Sequence, residues 1–265
     1  MNASSRFRSL AVVLLALLAL AAVASPASAS HSWNNYHWAR TSNPFTLKVG
    51  NNVKITWAAQ FNTSVTDWNS SSVMDLTDVA GTSNKRCSAV AGTVQVCNGT
   101  YGNNGWLGLA SIWLSGGHIT QGTAKMNDTY FNTSTYNNPN EKLHVMCQEI
   151  GHTFGLGHTS EDGSSQNTCM DYFSNTGANA GSTLSTRPNQ HDYDMLASIY
   201  AHLDSSTTIG ALPADAANAR LDTPADWGKE VHAEGRASIY MREFASGHKI
   251  ITFVYWVEGR GANQH

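Results

Sequence analysis

Apolar side chains cluster in three short segments whose spacing predicts β-strands. In residues 53–57 apolar and polar positions alternate, which is typical of a half-buried strand. Residues 106–114 are almost continuously apolar and predict a strand buried on both faces, at the centre of a sheet. Residues 124–131 alternate again, which favours a strand with one face toward water, at the edge of that sheet.

Three other segments have spacing compatible with helices. Residues 63–78 fit a helix, although several Ser and Asn residues weaken it. Residues 139–154 have clear helix signals, with Asn138 as the cap, Pro139 at the first helical position and Gly155 as the left-handed residue that ends the helix. Residues 190–203 form a further amphipathic segment that Asn189 can cap.

The C-terminal part of the chain predicts a hairpin joined through a linker. Residues 205–228 mix Ser, Thr, Ala, Asp and two prolines without a clear period. Residues 237–244 and 249–257 predict two strands that could dock on the preceding domain or on a partner. We therefore expect a signal peptide over residues 1–29, a main domain over 30–204, a linker over 205–228 and a β-hairpin extension over 229–265.

The N-terminal residues predict export from the cell. Arg6 and Arg8 precede a short apolar run, and small residues then lead to Ala29, as in a secretory signal peptide. An uncleaved signal anchor is the alternative. No later stretch approaches the roughly 20 apolar residues that a membrane span needs, so we expect a soluble, extracellular protein that begins near Ser30.

Charge and cysteine content narrow the classes of protein that fit. The net charge is -3 and only 13% of residues are charged, so there is no basic surface for nucleic acid or anionic lipid. Four cysteines in an exported chain suggest two disulfides among three possible pairings. Sequence proximity favours Cys87 with Cys97 and Cys147 with Cys169, whereas a four-cysteine metal site lacks the usual closely spaced pairs.

One sequence motif contains the candidate metal-binding and catalytic residues. The run from Gln148 to His158, QEIGHTFGLGH, resembles the metzincin zinc-peptidase signature H-E-x-x-H-x-x-G-x-x-H at every fixed position except the first. Residues 148 and 152 lie one helical turn apart and can converge on one ion, and the chain can fold back after Gly155 to bring in His158. Residues 168–172, TCMDY, resemble the Met-turn of the same family.

The resemblance implies a fold and a set of roles. It implies an α+β fold in which a twisted mixed sheet packs on the active-site helix, with a Met-turn and a C-terminal helix. Zinc would be held by Gln148, His152 and His158, and Glu149 would take a proton from the metal-activated water and pass it to the leaving amine. Met170 would lie beneath the metal and Tyr172 beside it. The strand over residues 124–131 would be the edge to which an extended substrate adds.

Because of Gln148, the sequence does not decide whether this site binds zinc. The family has histidine at this position, and an amide oxygen generally binds zinc less well than an imidazole nitrogen. Three alternatives remain: Gln148 is a working ligand, two histidines are completed by another group, or no functional metal binds. Tyr172 is a candidate for the completing group, whereas His144 is too far along the helix from His152 to share an ion comfortably.

Two functions from different classes therefore fit the sequence. The first is a secreted zinc endopeptidase, a monomer that cleaves extended polypeptides and has no nucleic-acid or membrane partner. The second is a catalytically inactive binding protein that keeps the fold and holds a partner in its cleft or through its hairpin.

Overall fold

The protein has an α+β fold built on one mixed sheet. A computed structural model describes residues 31–82, 86–208, 214–217 and 219–259. The segment expected to be a signal peptide, residues 1–29, lies outside these described residues. Within them, a mixed sheet, twisted as such sheets are, packs against a small number of helices, which confirms the predicted fold class.

Nine strands form this sheet within the described residues. In chain order they are β1 (His37–Trp38), β2 (Phe45–Asn52), β3 (Met74–Ala80), β4 (Thr93–Gly99), β5 (Trp106–Ser115), β6 (His118–Asn127), β7 (Lys229–Glu234), β8 (Ala237–Glu243) and β9 (Lys249–Trp256). Their order across the sheet is β3-β2-β4-β6-β5-β9-β8-β7, and β1 pairs with the start of β6. Strands β2, β3, β4 and β6 run parallel, whereas β5 and the three C-terminal strands pair antiparallel.

The helices of the described residues are α1 (Ala58–Trp68), α2 (Asp128–Phe131), α3 (Pro139–His152), α4 (Gln190–Ile199) and α5 (Ala214–Ala217). Helices α1, α3 and α4 contribute to the main core on one face of the sheet, and α5 lies beside a second apolar cluster on the other face. Helix α3 packs on α1 and on strands β5 and β6, so it lies in the centre of the main core. Helices α3 and α4 confirm two of the predicted helices, and Asn138 and Asn189 cap them as expected.

The strand predicted over residues 53–57 is wrong. Strand β2 ends at Asn52, and Ile55–Trp57 form a single 3-10 turn that leads into α1. Ile55 is 88% exposed, whereas Trp57 is buried and its indole nitrogen donates to the carboxylate of Asp128 over 2.9 Å. The alternation in the sequence therefore reflects a turn that points one apolar residue outward, not a pleated strand.

The helix predicted over residues 63–78 lies earlier in the chain than expected. Helix α1 ends at Trp68, and β3 begins at Met74, opposite Phe45 of β2. Strand β4 follows Cys87 in a segment where the sequence analysis predicts no strand. Both strands depend on parallel pairing with distant segments, and local composition contains little information about such pairing.

Strands β5 and β6 are both interior strands, whereas the sequence predicts an interior position only for β5. Strand β5 is buried on both faces, as expected. The edge strand predicted over residues 124–131 overlaps β6 only as far as Asn127, because residues 128–131 form helix α2. Strand β6 lies between β4 and β5 with nearly every residue buried, including Lys125. Its alternating polar residues point into a second packed layer and not into water, so the edge assignment is wrong.

The C-terminal strands continue the sheet. The predicted hairpin is confirmed as β8 and β9, and β7 precedes it. Strand β9 pairs antiparallel with β5, with Ala110 opposite Phe253 and Ser111 opposite Thr252. A second apolar cluster on the far face of the sheet contains Trp227, whose side chain is fully buried.

Two disulfides connect segments of the main core. One joins Cys87 to Cys97, and the other joins Cys147 of α3 to Cys169. The second bridge holds the middle of α3 directly against the segment that contains Met170. Over the described ranges, none of the helices combines the length and the apolar character that crossing a membrane requires.

Candidate active site

Helix α3 positions the first half of the site. The side chain of Asn138 accepts a hydrogen bond from the amide of Glu141, and Pro139 occupies the first turn, so the helix begins where the sequence predicts. The helix ends at His152, and Gly155 then adopts a positive φ of 96°. A side chain at Gly155 would collide with the carbonyl oxygen of Tyr36, so this turn requires glycine. The turn brings His158 back toward His152.

The two imidazoles of the motif meet through their Nε2 atoms. His152 Nε2 lies 3.0 Å from His158 Nε2. The opposite nitrogen of each ring already has an acceptor: His152 Nδ1 lies 2.8 Å from the carbonyl oxygen of Leu156, and His158 Nδ1 lies 2.5 Å from a carboxylate oxygen of Glu161. These contacts place a proton on each Nδ1 and leave each Nε2 with a lone pair, as in metal-binding histidines.

Both rings are held in the neutral form that binds metals. Burial and the neighbouring His158 lower the pKa of His152 well below its ordinary value. Burial also lowers the pKa of His158, although Glu161 acts in the opposite direction. Two facing nitrogen lone pairs at this distance repel each other unless a proton or a cation lies between them.

Gln148 lies on the same helix with one free oxygen. Its amide nitrogen donates to the carbonyl oxygens of Cys169 and Asp171, over 2.9 and 2.7 Å. These two bonds use both amide protons and fix the orientation of the side chain. The remaining atom, Oε1, is buried without a hydrogen-bond partner. A buried oxygen in this condition costs free energy unless something else in the site satisfies it.

Residues 168–172 form the floor and one wall of the site. Met170 is buried against Gly151, where a side chain on the glycine would collide with the Met170 sulfur. The hydroxyl of Tyr172 lies 3.3 Å from His158 Nε2, with the two ring centroids 4.7 Å apart. The Tyr172 oxygen is therefore another atom within reach of an ion between the imidazoles.

Glu149 is the acidic group of the site. It is 1% exposed, and neither carboxylate oxygen has a hydrogen-bond partner. Burial raises the pKa of Glu149 well above its ordinary value, and the nearby Ala110 amide only partly offsets this. Gly108 of β5 leaves the space for this carboxylate, since a methyl group there would collide with Glu149 Oε1. The structure therefore has a buried carboxyl group with a raised pKa on the same helix as Gln148 and His152, close enough to Tyr172 to affect it electrostatically.

Comparison with known proteins identifies the family. The family model described as metallo-peptidase family M12B, reprolysin-like, matches residues 7–198, which is well over half of the chain. The chain belongs to this family. The match confirms the metzincin-type resemblance, and a search of curated proteins gives no match. Reprolysin-like peptidases act on polypeptides, and strands β7 to β9 lie after the matched residues.

In this reprolysin-like chain, strand β9 covers the site. The ring of Phe253 stacks on His152 with centroids 4.2 Å apart, and Tyr255 stacks on Tyr172 with centroids 4.5 Å apart. The backbone of β9 follows β5, which is the antiparallel strand next to the site. The edge of β5 that does not pair with β6 is therefore filled by the protein's own C-terminal segment.

Two neighbours of the site, Glu161 and His232, were not predicted from the sequence. Glu161 bridges the two sides of the site, because it contacts His158 through one oxygen and His232 of β7 through the other, 2.7 Å away. The sequence signal that could have identified Glu161 as a neighbour of the site is its position three residues after His158. His144 is buried and contacts Asn175 Oδ1 and the carbonyl oxygen of Asp171, so its ring supports the residue 168–172 segment.

Proposed function

We propose that this reprolysin-like chain is a secreted, monomeric zinc-dependent endopeptidase. The observation that supports the proposal best is the pair of facing Nε2 atoms of His152 and His158, 3.0 Å apart, each with its Nδ1 already hydrogen-bonded. Two neutral imidazoles oriented in this way fit a zinc ion between them. The paired disulfides agree with an extracellular location.

The residues of the site fit a zinc ion with a third protein ligand. His152 and His158 would hold it through Nε2, and Gln148 would contribute its unpartnered Oε1. Tyr172 is the alternative third ligand, because its hydroxyl already lies next to His158. Zinc bound there would polarise the scissile carbonyl group and lower the pKa of a bound water molecule.

Glu149 would transfer a proton from the attacking water molecule to the leaving nitrogen. Its raised pKa makes it a stronger base than an ordinary carboxylate, and its burial keeps bulk water from competing for it. It would accept a proton from the attacking water molecule as the water oxygen bonds to the peptide carbonyl carbon. It would then return that proton to the leaving nitrogen as the C–N bond breaks, which regenerates the carboxylate.

Peptide cleavage by this mechanism requires β9 to move. An extended substrate would pair with β5 in the same antiparallel manner as β9 does. We therefore propose that residues 229–256 act as an internal competitor, and that the described conformation is the closed form of the peptidase.

The closed site also favours a second candidate function. The stacking of Phe253 on His152 and the substitution of histidine by Gln148 both suit a binding protein that has no need of an accessible metal. In that case the chain keeps the peptidase fold but holds a partner through other surfaces.

One set of variants separates the two functions. Bound zinc and casein cleavage would be measured for the wild type, Glu149→Gln and Gln148→His. For the peptidase we expect zinc and cleavage in the wild type, zinc without cleavage in Glu149→Gln, and tighter zinc binding in Gln148→His. Absence of site zinc and of cleavage in the wild type, with both appearing only in Gln148→His, would instead establish the binding protein. The N-terminal residue of the exported protein, expected near Ser30, tests secretion.

A further inference from the structure

A second group of histidines converges at the opposite end of β5 from Gly108, which contacts Glu149. It consists of His37 in β1, His118 at the start of β6, and His202 and Asp204 after α4, and we refer to it as the His3Asp cluster. His37 and His118 are directly opposite each other where β1 pairs with β6. The cluster lies at the Ser115 end of β5, roughly 20 Å along the strand from the end that holds Glu149.

Three donor atoms of the cluster, from His37, His118 and Asp204, all lie within 4.8 Å of one another, and the His202 ring lies beside two of them. The Nε2 atoms of His37, His118 and His202 lie 3.5, 3.2 and 3.6 Å from the same atom, Asp204 Oδ1. His202 Nε2 also lies 3.2 Å from His37 Nε2. Four ligands arranged tetrahedrally at zinc-ligand distances of about 2.0 Å are separated from one another by roughly 3.3 Å.

Outer hydrogen bonds orient two of these donors toward the centre. His37 Nδ1 lies 2.7 Å from the carbonyl oxygen of Asn35, which places the proton on Nδ1 and the lone pair on Nε2. Arg40, which is 1% exposed, holds Asp204 Oδ2 through its guanidinium group and its backbone amide, at 2.8 and 3.1 Å. Oδ1 is thereby left to face the histidines. Supporting contacts of this kind are characteristic of metal sites.

The histidines of the cluster supply lone pairs as well as protons. Neutral His118 can donate from Nε2 to Asp204 Oδ1, and neutral His202 can donate from Nε2 to His37 Nε2. His37 Nε2 carries a lone pair because its Nδ1 proton is held by Asn35, and it faces the Asp204 carboxylate oxygen 3.5 Å away. A divalent cation in place of these protons would bind the same nitrogens and the carboxylate oxygen directly.

We propose that the His3Asp cluster is a second metal site that binds a divalent transition-metal ion, with zinc the ion best suited to three imidazoles and one carboxylate. His37, His118 and Asp204 would supply three ligands from their present positions, and a rotation of the exposed His202 ring would supply the fourth. Four protein ligands are the pattern of a structural site and not of a catalytic one. The site joins the N-terminal strand β1 to the segment after α4 and to the β5-β6 turn. His118 and His202 have side chains that are 43% and 56% exposed, so an ion can enter from solvent.

The test removes the exposed ligands in a background where the candidate active site is disabled. Full-length protein with His158→Asn would be stripped with a chelator, dialysed against zinc and analysed for zinc per chain and for its melting temperature. We expect one tightly bound zinc, and a melting temperature that rises when zinc is added. Adding His118→Asn and His202→Asn should lower the zinc affinity at least 100-fold and abolish that rise.

The matched control is His248→Asn in the same background. This change removes a histidine whose ring contacts Ser246 Oγ, and it should leave zinc binding unchanged. The proposal is overturned if the His158→Asn protein binds no zinc tightly, or if it binds zinc equally well with and without His118 and His202. Because the background already lacks His158, either result is independent of whether the chain is a peptidase.

Discussion

The ring of Phe253 lies flat on the imidazole of His152, with centroids 4.2 Å apart and planes inclined by 5°. Phe253 belongs to β9, and His152 is one of the two histidines whose Nε2 atoms meet in the candidate active site. The contact fills the space next to a proposed zinc ligand with an aromatic side chain. Under the proposed function, access of a substrate to the site therefore depends on the position of β9 relative to β5.

Cross-linking β9 to β5 should therefore inhibit cleavage reversibly. Ser111 and Thr252 are directly opposite each other in the two strands, both are buried, and their hydroxyl oxygens are 3.1 Å apart. A disulfide formed in the Ser111→Cys/Thr252→Cys variant would hold the closed conformation. We expect casein cleavage to fall at least tenfold on oxidation and to recover on mild reduction.

The single variant Ser111→Cys and the wild type, carried through the same oxidation and reduction, are the controls. They account for effects of the reagents on the native disulfides. Cleavage at the wild-type rate by the cross-linked protein would show that β9 does not occupy the substrate position.

Glu161 should strengthen zinc binding through His158. Burial alone would raise the pKa of Glu161, but its hydrogen bonds with His158 and His232 outweigh that effect and hold the pKa below its ordinary value. The anionic carboxylate therefore fixes the His158 proton on Nδ1 and increases the basicity of Nε2. Glu161→Gln should weaken zinc binding by about 10- to 100-fold, which competition with a chelator would measure.

Asp162 provides a matched control for this change. It is the next residue, also carries a carboxylate, and accepts hydrogen bonds from Ser160 and Ser164 in place of a histidine. Asp162→Asn should leave zinc affinity unchanged. An equal loss in both variants would mean that net charge, and not the contact with His158, is responsible.

Much of the fold and of the candidate site followed from short-range sequence signals. Asn138, Pro139 and Gly155 determine where α3 begins and ends, and that information is local. The meeting of His152 with His158 follows from the same helix and the glycine turn after it. The continuous apolar run of β5 similarly indicated a strand buried on both faces.

The structural features that the sequence did not predict depend on contacts between segments that are distant in the chain. Lys125 and its polar neighbours on β6 suggest a wet face, but α5 and the segment around Trp227 cover that side of the sheet. The pairing of β9 with β5, and with it the closure over His152, joins segments more than a hundred residues apart. Hydrophobic periodicity predicts that such a strand exists but not which edge it joins.

Gly108 should be required for the position of Glu149. A methyl group at this position would collide with Glu149 Oε1 and with a methyl group of Val145, and both neighbours are fully packed. We expect Gly108→Ala to lower the free energy of unfolding by about 1–3 kcal/mol and to abolish casein cleavage. Urea unfolding and the cleavage assay would measure the two effects.

Gly117→Ala is the corresponding control in the same hairpin. Gly117 lies in the exposed β5-β6 turn, and a methyl group there would contact nothing within 4 Å. This variant should retain both stability and cleavage. If Gly108→Ala behaves in the same way, Glu149 can be accommodated elsewhere and its described position is not the functional one.

Lys125 should make the stability of the protein depend on pH in the alkaline range. It is 7% exposed, and burial lowers its pKa from 10.5 to about 8, although Asp222 acts in the opposite direction. Between about pH 8 and pH 10.5 the unfolded chain binds more protons at this lysine than the folded chain does, so its contribution to stability rises with pH there. Below pH 8 both states are charged, and the full cost of burying the ammonium group, roughly 3 kcal/mol, remains.

Replacing this lysine with an uncharged side chain of similar length should remove that cost. Lys125→Met should unfold at higher urea concentration than the wild type at about pH 7, and the difference should shrink by about pH 9.5, where the wild-type lysine is largely neutral in the folded state. Lys229→Met, which changes an exposed lysine of β7, is the control and should show no such pH dependence. A stability difference for Lys125→Met that stays constant across this range would mean that packing, and not the buried charge, causes it.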